Sequence, residues 1–379
     1  MNETVGVPGS FTSLSGIIND NLAMYLRGTL SLLILAFSLP SIIMNIINVF
    51  IFINTRVTDS ITVCFLALAA ADLCSMLLLA SMALCSFFVV ISVSWSSSLD
   101  VINFLISGIY GLSTDFSSAI TTYIALQRGL CVALPFMART FFTKDKSVKV
   151  ITAILICLML CALPRMFLIR VVKSKQWGTN SSAVLMVSFL ESWVIADRFY
   201  LIFTRTALVF LEYFTMILCA AAIFVGMRSS IELKNSSSIS SKFENHRNIN
   251  KQSGSAKHPQ NEGEGNADAK EIGGEVGKTG EKRASKETVV VKQSLLVVLI
   301  QVICTTPRVT VCLYQFFEPR FVIGKQYNNL FFVVFAGLNV VDSVNAFLNF
   351  FVYFRFNPKF RNHFKSIFNS DCFQRNKKT

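Results

Sequence analysis

The stretch Ile61–Ile91, ITVCFLALAAADLCSMLLLASMALCSFFVVI, holds one charged residue, Asp72, in 31. About 20 apolar residues suffice for a helix to cross a hydrocarbon core of ~30 Å, so this run reads as a membrane span. Comparable runs occur outward from it at Leu30–Ile53, Val101–Leu126, Val148–Val172, Leu201–Met227, Val289–Phe317 and Leu330–Phe354. The expected fold is therefore an all-α membrane protein, a seven-transmembrane helix bundle with a short amphipathic eighth helix. An eighth apolar stretch, Ala183–Ala196, is short, contains Glu191 and runs into Asp197-Arg198, so it reads as a loop element. The whole 379-residue chain is 53% hydrophobic and 15% charged, against roughly 45–50% and ~25% in soluble domains. That balance excludes an ordinary water-soluble enzyme.

A net charge of +13 would suggest nucleic acid in a soluble chain, but the positive-inside rule is the simpler cause here and no nucleic-acid partner is expected. With seven spans, one set of loops and the carboxyl end hold one, five, twelve and seven basic residues in turn, 25 of the 35. The amino terminus is thus expected outside and the carboxyl terminus inside a plasma membrane. The glycosylation sequons at Asn2 and Asn180 both fall on the outer side of that topology. Met1-Asn2-Glu3-Thr4 lacks a basic leader, so the first span is expected to act as the export signal. Residues 1–28 form the outer terminus, 29–227 the first five helices, 289–355 the last two, and 356–379 a basic amphipathic helix and tail lying on the inner surface. Between them, 228–288 turns to Ser, Asn, Gly, Glu and Lys and is expected to be a disordered inner loop. Most of the ten cysteines lie in apolar runs and serve packing. The two halves show no internal repeat, which weighs against a transporter. The three histidines lie in the inner loop and tail with no metal-ligand spacing and no catalytic cluster, so no enzyme is expected.

Polar residues inside spans are expensive, and they mark functional sites or helix–helix hydrogen bonds. The first helix carries Asn45 and Asn48, the second Asp72, and the last Asp342, Asn345 and Asn349, a set that can satisfy itself only if those helices touch. Gln127-Arg128 closes the third helix, and Cys304-Thr305-Thr306-Pro307 places a kinking proline in the sixth.

In this order and spacing, the set from Asn45 to Cys372 resembles the rhodopsin-like (class A) G-protein-coupled receptors. Asn45 and Asp72 look like that family's first-helix asparagine and second-helix aspartate. Gln127-Arg128-Gly129 stands where Asp-Arg-Tyr stands, Pro135 is the usual loop proline, Pro307 matches Cys-Trp-x-Pro, and Asn349–Tyr353 matches Asn-Pro-x-x-Tyr. Cys372 resembles the palmitoylated cysteine of the tail, with an ordinary tail cysteine as the alternative. The departures are Gln127 for the acid, Thr305 for the tryptophan, Phe350 for the proline, a fifth helix without proline, and Asn103 where the disulfide cysteine belongs, so no loop disulfide is expected. The pattern looks like divergent invertebrate orphan receptors, peptide-type or chemosensory.

The resemblance implies a receptor for an extracellular peptide or small molecule that activates a heterotrimeric G protein; a transporter-like or non-signalling seven-span protein is the alternative. Arg128 would be the coupling switch, paired at rest with Glu287 at the start of helix six; a snorkelling anchor is the bland reading. Asn349 and Tyr353 would belong to the same switch. Asp72, with Asn45, Ser117, Asn345 and Asn349, would form a polar core that in the family holds a sodium ion, the one cofactor implied; a neutral hydrogen-bonded aspartic acid is the alternative. Tyr110, Thr114, Asp115, Arg165, Glu212, Arg308, Gln315, Asn339 and Asp342 are the candidates for lining a ligand cavity. Arg308 either grips a ligand carboxylate or is neutralised by Asp342 or Asp115. Tyr110 stands where amine receptors carry an aspartate, which disfavours a biogenic amine. Lys282-Arg283-Ala284-Ser285 resembles a basic-directed kinase site at Ser285.

Overall fold

The computed structural model describes residues 17–54, 59–91, 96–134, 138, 140–175, 183–189, 191–229, 267–318, 320–321 and 325–375. Helix α1 (Asp20–Asn54) begins where the Asn19 side chain accepts the Leu22 N–H at 2.8 Å, an N-cap that satisfies an otherwise orphaned donor. Its buried face is small and polar, with Gly28, Ser31, Ser38, Ser41, Asn45 and Asn48, while Leu32, Leu39, Ile43, Ile46 and Phe50 point outward. Lipid offers no hydrophobic reason to bury leucine, so small residues take the helix–helix contacts and large apolar ones face the acyl chains.

The same logic runs through α2 (Ser60–Ile91), α3 (Ser96–Ala133), α4 (Lys144–Phe167), α5 (Glu191–Tyr200, continuing through a π-helical turn at Leu201–Leu208 to Ser229), α6 (Ala267–Phe317) and α7 (Asn328–Phe356). Six of the seven are apolar and long enough to span a membrane on composition alone. The remaining one, α3, is the central helix. It packs on α2, α4 and α6 and buries Asp115, Ser117, Thr121, Thr122 and Gln127. Polar contacts inside the bundle explain why it is less apolar than α1, α2 and α7.

Helix α1 packs on α2 and α7, and α6 on α7, so the first, second and seventh helices do touch. One core cluster, around Phe52, Phe65, Ile120, Ile124, Phe350, Tyr353 and Phe360, fills the end of the bundle that carries Arg128; another, around Ile34, Met76, Leu79 and Tyr110, fills the opposite half. Gly129 lies against Cys219 of α5, where a Cβ would stand only 3.4 Å from that side chain. After α7, the Asn357 side chain accepts the Phe360 N–H at 3.1 Å and Pro358 opens α8 (Pro358–Arg375), an Asn-Pro start that suits a helix N-terminus.

Three boundaries differ from the sequence reading. The fourth helix stops at Phe167 rather than Val172, because the alternating Ile169-Arg170-Val171-Val172 enters strand β1 (Ile169–Lys175), paired antiparallel with β2 (Ala183–Phe189). The Ala183–Ala196 element is thus the return strand of a hairpin followed by the first turns of α5. Of the inner loop expected at 228–288, residues 230–266 lie outside the described residues. The backbone of 267–288 is helical and continuous with α6, although Gly273, Gly274, Gly277 and Gly280 each disfavour a helix interior; the segment extends an apolar helix already formed.

Candidate functional site

Asp72 faces inward from mid-α2 and is 2% exposed. Its Oδ1 accepts the Ser117 hydroxyl of α3 at 2.6 Å and its Oδ2 the Asn349 amide of α7 at 2.8 Å, so one carboxyl ties three helices. Asn45 and Asn345 do not reach it. Asn45 bonds Ser41 on its own helix and accepts from Asn48. Asn345, one helical turn from Asn349, donates instead to Gln301 of α6 at 2.7 Å. Both Asn345 Oδ1 and Asn349 Oδ1 are buried without a hydrogen-bond partner among the described residues.

Above Asp72 a small cavity of about 40 Å³ opens between α2, α3, α5, α6 and α7, with Thr114, Asp115, Glu212, Gln301, Arg308 and Asp342 in its wall. Its charges come mostly in pairs. Arg308, just past Pro307, is ion-paired with Asp342 of α7, and the Tyr110 hydroxyl of α3 donates to the same Asp342 oxygen at 2.8 Å. Of the readings open for Arg308, neutralisation by Asp342 is the arrangement present. Asp115 is paired instead with Arg205 of α5 at 3.3 Å and accepts from the Tyr200 hydroxyl at 3.2 Å.

Arg205 and Tyr200 were not singled out from sequence, although an arginine five residues into the apolar run from Leu201 is itself a costly insertion that signals a partner. The π-helical turn at Leu201–Leu208 contains Arg205, and Gly111 of α3 provides its space, since a Cβ there would collide with the guanidinium. A π-helical turn thus stands in the helix that lacks the family proline. Arg165 pairs with Asp197 at 2.6 Å and stacks over Tyr200 with 5.2 Å to the ring centroid, behind the cavity rather than in its wall. Gln315 and Asn339 do not line the cavity either.

At the other end, Gln127 Nε2 donates to Ser60 Oγ at 2.7 Å, and the Cys64 thiol approaches its Oε1 at 3.7 Å. Arg128 is half-buried beside it. The side chains of Glu287, Ser285 and Cys372, and residues Asn2, Pro135 and Asn180, lie outside the described residues. Tyr353 is fully buried among Phe52, Phe65 and Phe360. Asn103, in the disulfide cysteine's place, donates to Ser86 at 3.0 Å, and all nine described cysteines are free thiols.

No curated protein matches the chain. The family model for the 7 transmembrane receptor (rhodopsin family) matches residues 44–353, from just before Asn45 to Tyr353, and the chain belongs to that family of multi-pass membrane receptors.

Proposed function

We propose that the chain is a G-protein-coupled receptor of the plasma membrane, with the hairpin end outside and Arg128 and α8 at the cytoplasmic face. An extracellular peptide or small molecule places a group in the cavity above Asp72, and α6 then moves relative to α3 so that Arg128 engages a heterotrimeric G protein. The single observation that carries this reading is the tie among α3, α6 and α7 at Asp342, a cavity-wall residue that accepts from Arg308, also in the wall, and from Tyr110, which does not itself line the cavity. A ligand with different affinity for the tied and released arrangements shifts their populations by that difference. The motif departures favour a divergent, invertebrate-type receptor over an amine receptor.

A sodium ion suits the Asp72 site. The carboxylate, the Ser117 hydroxyl and the unpartnered Asn349 Oδ1 are all hard oxygen donors within one buried cluster. Bound there, the ion would supply a counter-charge for Asp72; Ser117 and Asn349 would orient the carboxyl and hold α3 and α7 against α2.

The test is expression with a promiscuous G protein and a screen of peptide and small-metabolite pools. Arg128→Ala should abolish agonist-driven activation while surface expression and ligand affinity stay within about twofold. Full signalling by that variant would overturn the mechanism.

A further inference from the structure

The cavity wall contains four carboxylates, Asp72, Asp115, Glu212 and Asp342, and two guanidiniums serve them, Arg205 from behind the wall and Arg308 within it. Each guanidinium is committed to one aspartate. Of the two acids left without a guanidinium, Asp72 has a donor on each oxygen, from Ser117 and Asn349, and Glu212 does not. It projects from α5 into the cavity and is 6% exposed; its Oε2 accepts the Ser118 hydroxyl at 2.7 Å, and its Oε1 is buried with no hydrogen-bond partner among the described residues. A carboxylate removed from water needs a counter-charge or a full set of donors to stay ionised, and one hydroxyl supplies neither.

We infer that Glu212 is the docking point for a cationic nitrogen of the ligand, an ammonium or amidinium group, which enters the cavity and supplies the partner that the Glu212 carboxyl lacks. This rests on reading the cavity as the ligand site. The space of about 40 Å³ admits a head group of a few heavy atoms, so a large ligand would place only its cationic end here. The geometry favours a cation over a carboxylate. A carboxylate would face Glu212 directly and could gain Arg308 only by displacing Asp342. The dock also differs in position from an amine-binding aspartate on α3, where this chain has Tyr110, itself committed to Asp342. Two sources offer the same chemistry, a small amine and the free amino end or basic side chain of a peptide.

The experiment uses the full chain in lipid nanodiscs at constant sodium, with thermal melting as the readout. The probes are n-butylammonium, n-butylguanidinium, uncharged valeramide, and a short peptide with its amino terminus free or acetylated. Both small cations should raise the melting temperature dose-dependently where valeramide does not, and Glu212→Gln should weaken their apparent affinity at least tenfold, with Glu212→Asp retaining part of the response. A response to the free but not the acetylated peptide assigns the cation to a peptide terminus, and a response to the small cations alone assigns it to an amine. Equal shifts with valeramide, or a cation response unchanged in Glu212→Gln, would overturn the inference. Should Glu212→Gln fail to fold, the comparison of cation with valeramide on the unaltered receptor decides alone. Because melting does not involve the G protein, cation discrimination without agonist-driven signalling would uphold the dock and remove only the signalling reading.

Discussion

Gln127 and Ser60 bind α3 to the first residue of α2 through a hydrogen bond of 2.7 Å from the amide Nε2 to the hydroxyl oxygen. Ser60 Oγ in turn lies 2.5 Å from Ser147 Oγ of α4, and the Tyr123 hydroxyl lies 2.9 Å from the same Ser147 oxygen. Three helices meet in one polar chain beside Arg128, and the amide in place of the family acid is the donor that starts it.

Gln127→Ala removes that donor and should cost about 1 kcal/mol, the usual net value of one hydrogen bond. Ser60→Ala should cost about the same, and the double variant less than the sum, since both remove one bond. Melting temperatures of the detergent-solubilised receptor measure the cycle; strict additivity would show that the contact contributes nothing.

The aromatic cluster at the α7–α8 junction gives the second expectation. Phe350 occupies the family's proline position and packs on Phe354, Phe360 and Phe364, while Phe360 also meets Phe52. Phe360→Ala should therefore destabilise by ~3–5 kcal/mol, the range for a buried ring. Phe350→Pro, although it restores the family residue, should be worse than Phe350→Leu, because it loses the ring and also a backbone hydrogen bond inside α7. A Phe350→Pro receptor as stable as the parent would show that the cluster is not what holds α8.

The parts of this architecture legible in the sequence are those that lipid dictates. Long apolar runs gave all seven spans, and the cost of burying Asp72, Asp115 and Glu212 marked the cavity wall. Partner choice was not legible. Asn345 and Asn349, four residues apart on one face, point to α6 and to α2 respectively, a difference set by helix rotation rather than by pattern. Arg205 hid inside an apolar run whose average remained that of a span, and its π-helical setting depends on hydrogen bonds that no periodicity announces. The helix end at Phe167 was missed because Ile and Val suit a lipid-facing helix as well as a hairpin.

Asp72 predicts sodium dependence. Replacing sodium with potassium at constant ionic strength should lower the melting temperature of the unaltered receptor and leave Asp72→Asn unchanged, since the amide brings no charge for the ion to balance. Ser117→Ala should keep part of the response. Equal effects of both salts on the parent protein would remove the ion from the site and leave the Ser117 and Asn349 hydrogen bonds as the carboxyl's only support.

The Arg308–Asp342 pair makes the sharpest energetic claim. Its side chains are 17% and 20% exposed, so both charges are largely removed from solvent. Breaking a buried pair by deleting one member leaves an uncompensated charge and costs ~3–5 kcal/mol, whereas replacing both members with apolar groups of similar size is often neutral. Asp342→Ala should therefore sharply reduce surface expression and melting temperature, and it should also strand the Tyr110 hydroxyl. Arg308→Met alone should behave similarly, leaving Asp342 with the Tyr110 donor only. The double variant Arg308→Met with Asp342→Leu should recover most of the lost stability. It also removes the tie between α6 and α7, so ligand-independent G-protein activity should rise in the rescued protein if that tie restrains α6. Stability rescued without any change in basal signalling would make the pair a structural feature alone. Stability that fails to recover would mean that Tyr110 and the cavity wall depend on the charges themselves.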